Sequence, residues 1–360
     1  MSFFLIIFLS IAGFILVYVV ATLIARLVTL DMGYYAGSRD LRTVPTVAIV
    51  TGASSGVGTR TAEEFAADGA HVFLCDRNAE RSARAAAQIR AATGSTRVTT
   101  VPCDLADLQS VRECALRLRR AVAELRATAA PADARWRVLL CNNAGVMAIP
   151  LTPSAQGYEM QYAVNFLGHF ALTANLLPLL LDPALADARV VTLSSLAHHW
   201  VRTFDFDAVC ADRLDPRTFD SRGAGYAQSK LADIAITTEL VRRFTGFRGN
   251  HLTAYTADPG NVMTNLARHM PLYFFVLAAP VLYLCQKTCC QGAQTTITCA
   301  LDDLSALTPG GFYSDRKLSR PSALGADKDL HRRLWNLAFE QSKPFLSEDA
   351  LQILSEVSEI

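Results

Sequence analysis

Tyr226 and Lys230 are two side chains with complementary acid–base chemistry, four residues apart in the segment YAQSK. On a helix, side chains four positions apart lie on one face and can approach the same point. A tyrosine with its ordinary pKa of about 10 is a poor base at neutral pH, but an adjacent ammonium favours the phenolate and lowers that pKa. The spacing predicts that Tyr226 exchanges a proton with a bound oxygen atom. The alternative is a solvated pair on a helix surface.

Ser195 could hydrogen-bond to the same oxygen atom. It follows the apolar run 190–193, which has the composition of a buried strand, so its hydroxyl is expected at a strand end. His198 and His199 come soon after it, and we interpret them as loop residues and not as catalysts.

A glycine-rich segment near the start of the chain has the composition of a phosphate-binding loop. The β-branched run 47–50 is followed by Gly52, Gly56 and Gly58 and then by good helix formers in 61–67. Glycine lets the chain turn sharply and lets backbone amides approach a pyrophosphate, whose charge a helix N-terminus favours. A second apolar run, 70–75, ends at an acidic residue at the spacing that the dinucleotide-binding pattern expects.

The glycine spacing T-G-x-x-x-G-x-G, the cluster Asn142-Asn143-Ala144-Gly145 and the Tyr-x-x-x-Lys motif together resemble the short-chain dehydrogenase/reductase family over about residues 44–320. Within it, segments 193–199 and 287–295 resemble the membrane-anchored retinol dehydrogenase subgroup. The resemblance implies an α/β fold with a Rossmann-type doubly wound parallel sheet and an NAD(P)-dependent oxidoreductase.

The resemblance also implies roles for individual residues. The catalytic set is Asn165, Ser195, Tyr226 and Lys230, in which Lys230 also holds the nicotinamide ribose and Asn165 supports a water chain to Lys230. The implied cofactor-binding residues are Gly52, Ser54, Ser55, Gly56, Val57, Gly58, Asp76, Arg77, Asp104, Leu105, Asn143, Ala144, Gly145, Tyr226, Lys230, Pro259, Gly260, Val262 and Thr264.

Asp76 and Arg77 bear on the choice of cofactor and point in opposite directions. A carboxylate at the end of the second strand accepts hydrogen bonds from a ribose 2′-hydroxyl and repels a 2′-phosphate, whereas an arginine attracts that phosphate. The retinol dehydrogenase subgroup usually has a neutral residue before the arginine, which implies NADP; Asp76 departs from that pattern. The sequence narrowly favours NAD over NADP.

Strand and helix patterns alternate along the rest of the chain, as in a doubly wound sheet. Further strands are expected at 97–103, 138–141 and 252–256, and helices at 108–126 and 154–181. We predict three parts: an N-terminal anchor in residues 1–30, a catalytic domain in 44–320, and a C-terminal part in 321–360. The last is expected to hold a short helix at 330–339 and a polar tail.

Residues 3–25 form a stretch of twenty-three residues without a charge. A helix of that length spans the hydrocarbon core of a bilayer, about 30 Å thick. The alternative, a secretory signal peptide, requires a basic start and a small-residue cleavage site, and neither is evident. Arg26, Arg39 and Arg42 follow the stretch and predict a catalytic domain that faces the cytosol, most simply at the endoplasmic reticulum.

Composition separates the chain from other functional classes. A net charge of +1 provides no basic field for nucleic acid. Nine cysteines show no metal-binding spacing, so no metal is expected, and their placement suits reduced thiols.

The apolar segment 271–284 follows the Pro259-Gly260 turn, and we interpret it as a lid over a lipophilic substrate of the retinoid, polyprenol, sterol or fatty aldehyde class. A core helix is the alternative for this segment. Two other functions stay open: a C=C reductase of the protochlorophyllide reductase type, and a catalytically silent dinucleotide-binding scaffold. A homodimer through the leucine-rich stretch 172–181 is a further possibility.

Overall fold

A computed structural model describes residues 13, 16–20, 34, 35, 37, 41–128, 134–215, 219, 221–262 and 286–357. Thr264, the expected lid at 271–284 and most of the expected membrane anchor at 3–25 lie outside the described residues.

One eight-stranded sheet forms the centre of the fold, with the strand order β3-β2-β1-β4-β5-β6-β7-β8. Strands β1 to β7 are parallel and β8 is antiparallel to β7. The strands are β1 Thr46–Thr51, β2 His71–Asp76, β3 Val98–Pro102, β4 Arg137–Asn142, β5 Asp187–Leu193, β6 Leu252–Asp258, β7 Phe312–Ser314 and β8 Lys317–Ser319. The expected doubly wound α/β sheet is confirmed.

Helices cover both faces of this sheet. They are α1 Gly56–Ala67, α2 Ala79–Thr93, α3 Leu108–Thr128, α4 Gly168–Leu180, α5 Tyr226–Phe244, α6 Cys289–Leu301, α7 Lys328–Ser342 and α8 Glu348–Val357. A π-helical segment, Tyr162–Leu167, leads directly into α4.

The two faces of the sheet hold separate hydrophobic cores, because side chains alternate along each strand. Val47 and Ile49 of β1 point into the core formed with α3, α4, α5, α7 and α8. Ala48 and Val50 point into the core formed with α1, α2 and α6. Both faces are therefore buried, which is why the strands read as continuous apolar runs.

The strand order reverses at β1, which pairs with β2 on one side and β4 on the other. In sheets of this kind ligands bind outside the carboxyl ends of the strands at such a reversal. The carboxyl ends of β1, β2, β4, β5 and β6 lie along this edge.

The helix expected from residue 154 begins later. Ser154 and Gly157 form a turn, in which Gly157 has a positive φ of 83° and donates its N–H to the Ser154 carbonyl at 3.0 Å. The Glu159 carboxylate then accepts the N–H of Tyr162 at 2.8 Å, at the start of the π-helical segment. Turn chemistry therefore overrides the helical pattern over 154–159.

The expected polar tail is wrong for residues 348–357. These residues form α8, whose Ala350, Ile353, Leu354 and Val357 join the same core as the central strands. Their spacing of three and four positions is the apolar stripe of an amphipathic helix.

The leucine-rich stretch of α4 cannot serve as a dimer face as it stands, because Leu172, Leu176 and Leu180 are fully buried by the chain itself. Among the described residues, the segment Tyr162–Leu180 is also the one helix long and apolar enough to cross a bilayer, but 89% of it is buried inside the protein. It is a core helix.

Candidate active site

The glycine loop connects β1 to α1 and has room only for glycine at critical points. Gly52 and Gly56 have φ values of 65° and 64°, in the left-handed region that glycine adopts without strain. A Cβ on Gly58 would lie 2.6 Å from the Gly52 carbonyl oxygen and would clash with the Asn143 side-chain amide. The close approach of loop and helix is therefore built into the sequence.

The N-terminus of α1 is open toward this loop. Ser55 occupies the N-cap position but makes no side-chain capping hydrogen bond, and the first turn carries no acidic residue. The first amides of α1 consequently have no side-chain cap, and the helix dipole favours an anion there. This arrangement fits the pyrophosphate of a dinucleotide.

Thr51, at the end of β1, connects the residues that follow β4 to this loop through hydrogen bonds. Its hydroxyl oxygen accepts the N–H groups of Asn143 and Ala144 at 2.9 and 3.0 Å, and the Asn143 side chain donates to the Thr51 carbonyl at 2.7 Å. Gly145 follows, and a Cβ there would lie 4.0 Å from the Lys230 ammonium. Three predicted cofactor residues thus line the path from the loop to Lys230.

Asp76 lies at the end of β2 against the glycine loop. Its carboxylate accepts both the backbone N–H and the hydroxyl of Ser54, each at 2.8 Å. Burial raises the pKa of Asp76, and the two hydrogen bonds from Ser54 act against that rise. Arg77 is exposed.

Asp104 and Leu105 follow β3. The Asp104 side chain accepts the N–H of Ala106 at 3.0 Å, which closes a turn at this strand end. Leu105 is buried, and its carbonyl oxygen lies so close to Gly168 that no Cβ fits there. A Cβ on Gly292 in α6 would lie 3.2 Å from a methyl group of Val57 in α1 and 2.5 Å from one of Val262, beyond β6. Pro259 and Gly260 connect β6 to Val262, and Gly260 has a positive φ of 73°.

Ser195, Tyr226 and Lys230 converge beside the end of β5. Tyr226 is the first residue of α5, it is 6% exposed, and its ring centre lies 6.0 Å from the Lys230 ammonium. The Ser195 side chain is close enough to Tyr226 to act on the pKa of its phenol. Lys230 donates to the Leu193 carbonyl at 2.7 Å and to the Asp233 carboxylate at 2.8 Å.

The pKa of Tyr226 is raised above its ordinary value, although Lys230 acts to lower it, as expected from the sequence. Burial of the phenol is the main cause; the Lys230 ammonium and the Ser195 hydroxyl act in the opposite direction, and the carboxylates of Asp258 and Asp233 raise the pKa further. Tyr226 is thus protonated at neutral pH.

Asn165 lies in the π-helical segment, and its side chain hydrogen-bonds to the backbone of the segment after β4. Its side chain accepts the Val146 N–H at 2.8 Å, donates to the Val146 carbonyl at 3.0 Å and donates to the Ser229 hydroxyl at 2.9 Å. Ser229 in turn donates to the Tyr226 carbonyl at 2.7 Å. Asn165 therefore connects β4 to the first turn of α5.

His169 links the two sides of the site and was not predicted. Its Nδ1 lies 2.7 Å from the Asn165 carbonyl oxygen and its Nε2 lies 2.8 Å from the Thr51 hydroxyl. Because a carbonyl only accepts, Nδ1 carries the proton and Thr51 donates to Nε2. Burial lowers the pKa of His169 to about 3, with the Lys230 charge acting in the same direction and the bond to Asn165 against it.

His198 lies in a short 3-10 helix, Leu196–Trp200, and not in the expected loop. Its Nδ1 lies 2.6 Å from the Ser195 carbonyl and its Nε2 accepts the Ser322 N–H at 3.0 Å. Burial lowers the pKa of His198 to about 4.

Asp233 was also missed, although one sequence signal pointed to it: three positions after Lys230, it lies on the same helix face.

No group of three or more potential metal ligands occurs in the part of the chain that the structure describes.

The family model for short chain dehydrogenases matches residues 46–203. The chain is 37% identical to retinol dehydrogenase 11 from Mus musculus over 81% of this chain and 84% of that protein. It is 37% identical to polyprenol dehydrogenase from Mus musculus over 80% of this chain and 81% of that protein. A solved structure of an uncharacterised protein from Mycobacterium Paratuberculosis superimposes with a TM-score of 0.61 at 31% identity, covering 86% of this chain and 98% of that one.

The chain belongs to the short-chain dehydrogenase/reductase family. It is an oxidoreductase of that family with a nicotinamide-dinucleotide-binding Rossmann fold, and its sequence is similar to retinol and polyprenol dehydrogenases.

Proposed function

We propose that this chain interconverts a lipophilic alcohol and its aldehyde or ketone, with Tyr226 as the acid and base. The observation that carries the proposal is the convergence of Ser195, Tyr226 and Lys230 at one edge of the sheet. The glycine loop and the N-terminus of α1, which has no side-chain cap, lie at the same edge. Relatives named for retinol and polyprenol support a substrate of that solubility.

Each side chain has a distinct task in this proposal. A bound nicotinamide ring supplies or accepts the hydride. During reduction Tyr226 donates its phenolic proton to the carbonyl oxygen, while the Ser195 hydroxyl hydrogen-bonds to that oxygen and fixes its position. Lys230 stabilises the phenolate that remains. The raised pKa of Tyr226 keeps the phenol protonated at neutral pH, which suits proton donation.

The proposed cofactor contacts are the glycine loop, Asp104 and Leu105 on the adenine side, Asn143 to Gly145 in the middle, and the turn from Pro259 to Val262. We propose NAD as the preferred cofactor, since the Asp76 carboxylate lies against the loop and repels a 2′-phosphate. Comparison of kcat/KM with NADH and NADPH tests this preference; a tenfold advantage of NADPH contradicts it.

We also propose that residues 3–25 anchor the protein in the endoplasmic reticulum membrane with the catalytic domain, residues 44–320, on the cytosolic side. The uncharged stretch and the arginines after it support this topology. Protease treatment of intact microsomes is expected to digest the catalytic domain; full protection of that domain contradicts the orientation.

The test of function is a panel of retinol, a polyprenol, a sterol and a long-chain alcohol with their carbonyl forms, using full-length protein in detergent with both cofactors. Tyr226→Phe is expected to lose nearly all turnover and still bind NADH. Tyr255→Phe is the matched control, because it also removes one buried tyrosine hydroxyl, but from the middle of β6. A Tyr226→Phe protein that keeps most of its activity removes Tyr226 from this role.

A further inference from the structure

Asp233 is a buried carboxylate whose main partner is the ammonium of Lys230. Its side chain is 1% exposed, that of Lys230 is 5% exposed, and Asp233 Oδ2 lies 2.8 Å from Lys230 Nζ. The other oxygen, Oδ1, is buried and has no hydrogen-bond partner among the described residues. A carboxylate so placed is costly to bury, because only one of its oxygens is compensated.

We propose that Asp233 is a positioning residue of this active site: its carboxylate fixes the Lys230 ammonium at the end of β5 and sets how strongly that positive charge acts on Tyr226. The inference rests on the proposed roles of Tyr226 and Lys230. It adds that Asp233 controls the effect of the Lys230 charge on the protonation of Tyr226.

The first step is geometric. A lysine ammonium has three N–H donors, and two of those of Lys230 are directed to Asp233 and to the Leu193 carbonyl. A flexible side chain is thereby held in one orientation, with one donor left for a ligand in the crevice. Without Asp233, only the Leu193 carbonyl holds the ammonium.

The second step is electrostatic. A negative charge one hydrogen bond away from the ammonium cancels much of its field at Tyr226. The charged or titratable groups that act on Tyr226 and Lys230 are Asp233 on α5, Asp258 at the end of β6 and His169 on α4. His169 is neutral because its pKa is about 3. Burial raises the pKa of Asp233 to about 7, with Lys230 acting against that rise. Above neutral pH the balance at Tyr226 is therefore one ammonium against two carboxylates, of which Asp233 contacts the ammonium directly.

The sign of the effect follows. Burial acts to lower the pKa of Lys230, but Asp233 and Tyr226 more than offset it, so the ammonium form is maintained. Asp233 raises the pKa of Tyr226. Removal of the carboxylate takes away its repulsion of the Tyr226 phenolate, so Tyr226 is expected to lose its proton at a lower pH.

The experiment is a pH titration of Asp233→Asn in the full-length protein in detergent. Tyrosinate absorbance is measured as the difference between each protein and its Tyr226→Phe derivative, which isolates Tyr226. The Tyr226 midpoint is expected to fall by about one pH unit. The kcat/KM profile for retinol oxidation, tested with NAD and with NADP, is expected to shift toward acid by the same amount.

Glu239→Gln is the matched control. Glu239 lies on the same helix, its side chain is also 1% exposed, and it pairs with Arg242 and Arg243 at 2.8 and 2.9 Å. It is thirteen residues beyond Tyr226, about 20 Å along the helix. This variant is expected to lose stability without any shift of the Tyr226 midpoint.

A midpoint that is unchanged or higher in Asp233→Asn overturns the inference. If that variant is recovered poorly, Asp233→Ser is titrated and must shift the midpoint in the same direction. The absorbance readout needs neither substrate nor cofactor. Absence of turnover in the parent protein therefore contradicts the proposed function alone, whereas normal turnover with no midpoint shift contradicts the role of Asp233 alone.

Discussion

The glycine loop after β1 and the first turns of α5 lie along the same edge of the sheet but are built on different principles. The loop is shaped by missing side chains and by hydrogen bonds from backbone N–H groups, such as those that Asn143 and Ala144 donate to the Thr51 hydroxyl. The start of α5 instead concentrates buried charge, with Lys230 and Asp233 in contact. A change of shape should therefore disable the first region, whereas a change of charge should retune the second.

The largest effect is expected from a single methyl group in the loop region. Gly58→Ala places a Cβ 2.6 Å from the Gly52 carbonyl and against the Asn143 side chain, so the backbone must shift. Overpacking of this kind costs about 3 kcal/mol, which corresponds to about a hundredfold rise in the Kd for NADH if the bound loop shape is lost. Fluorescence titration of NADH measures it.

Gly94→Ala is the control for this substitution. Gly94 ends α2 with a positive φ of 71°, and a Cβ there meets nothing within 4 Å. It should cost about 1 kcal/mol of stability with no change in the Kd for NADH. Equal binding by Gly58→Ala and the parent protein would show that shape does not control this region.

Asp76→Ser tests the carboxylate that accepts hydrogen bonds from Ser54 of the loop, and a smaller effect is expected. Its removal takes away the charge that repels a 2′-phosphate, while the exposed Arg77 remains to attract one. The ratio of kcat/KM for NADPH to that for NADH is expected to rise about tenfold, or about 1.4 kcal/mol. Arg77→Ala should move the ratio the other way. A ratio unchanged by both substitutions would mean that neither residue reads the 2′ position.

The shape-based region was largely predictable from sequence, and the charge-based region was not. The loop can be predicted from Gly52, Gly56 and Gly58, because the backbone conformations that glycine permits are a local property of the sequence. The pKa of Tyr226 depends instead on burial, which raises it by more than Lys230 lowers it. The spacing of residues in the sequence does not reveal that burial. The Lys230–Asp233 pair has a local spacing signal, but the sequence does not indicate that both side chains are buried.

Long-range contacts and competing local signals account for the remaining differences. His169 and Thr51 are 118 residues apart in the chain, so their hydrogen bond has no sequence signature. The helix expected from residue 154 failed because Gly157 favoured a turn. Residues 348–357 did carry an amphipathic pattern, but their acidic composition made them look like a tail.

His169 connects the two regions through Thr51 and Asn165. Its titration is expected to change the free energy of unfolding by a modest amount. The folded-state pKa of about 3 lies well below the ordinary value of 6.5. Between those two values the unfolded chain binds a proton that the folded protein does not, so the free energy of unfolding decreases as the pH falls. From pH 6.5 to pH 5 this one group should remove about 2 kcal/mol.

His169→Gln retains hydrogen-bonding atoms but cannot titrate. Urea unfolding of full-length protein in detergent at pH 7 and pH 5 should therefore show a loss smaller by about 2 kcal/mol than in the parent protein. His251→Gln is the control, because it makes the same substitution at an exposed histidine outside the site. If His169→Gln and the parent lose equal stability between the two pH values, the link from Thr51 to Asn165 does not depend on a neutral imidazole, and the two regions are joined by packing alone.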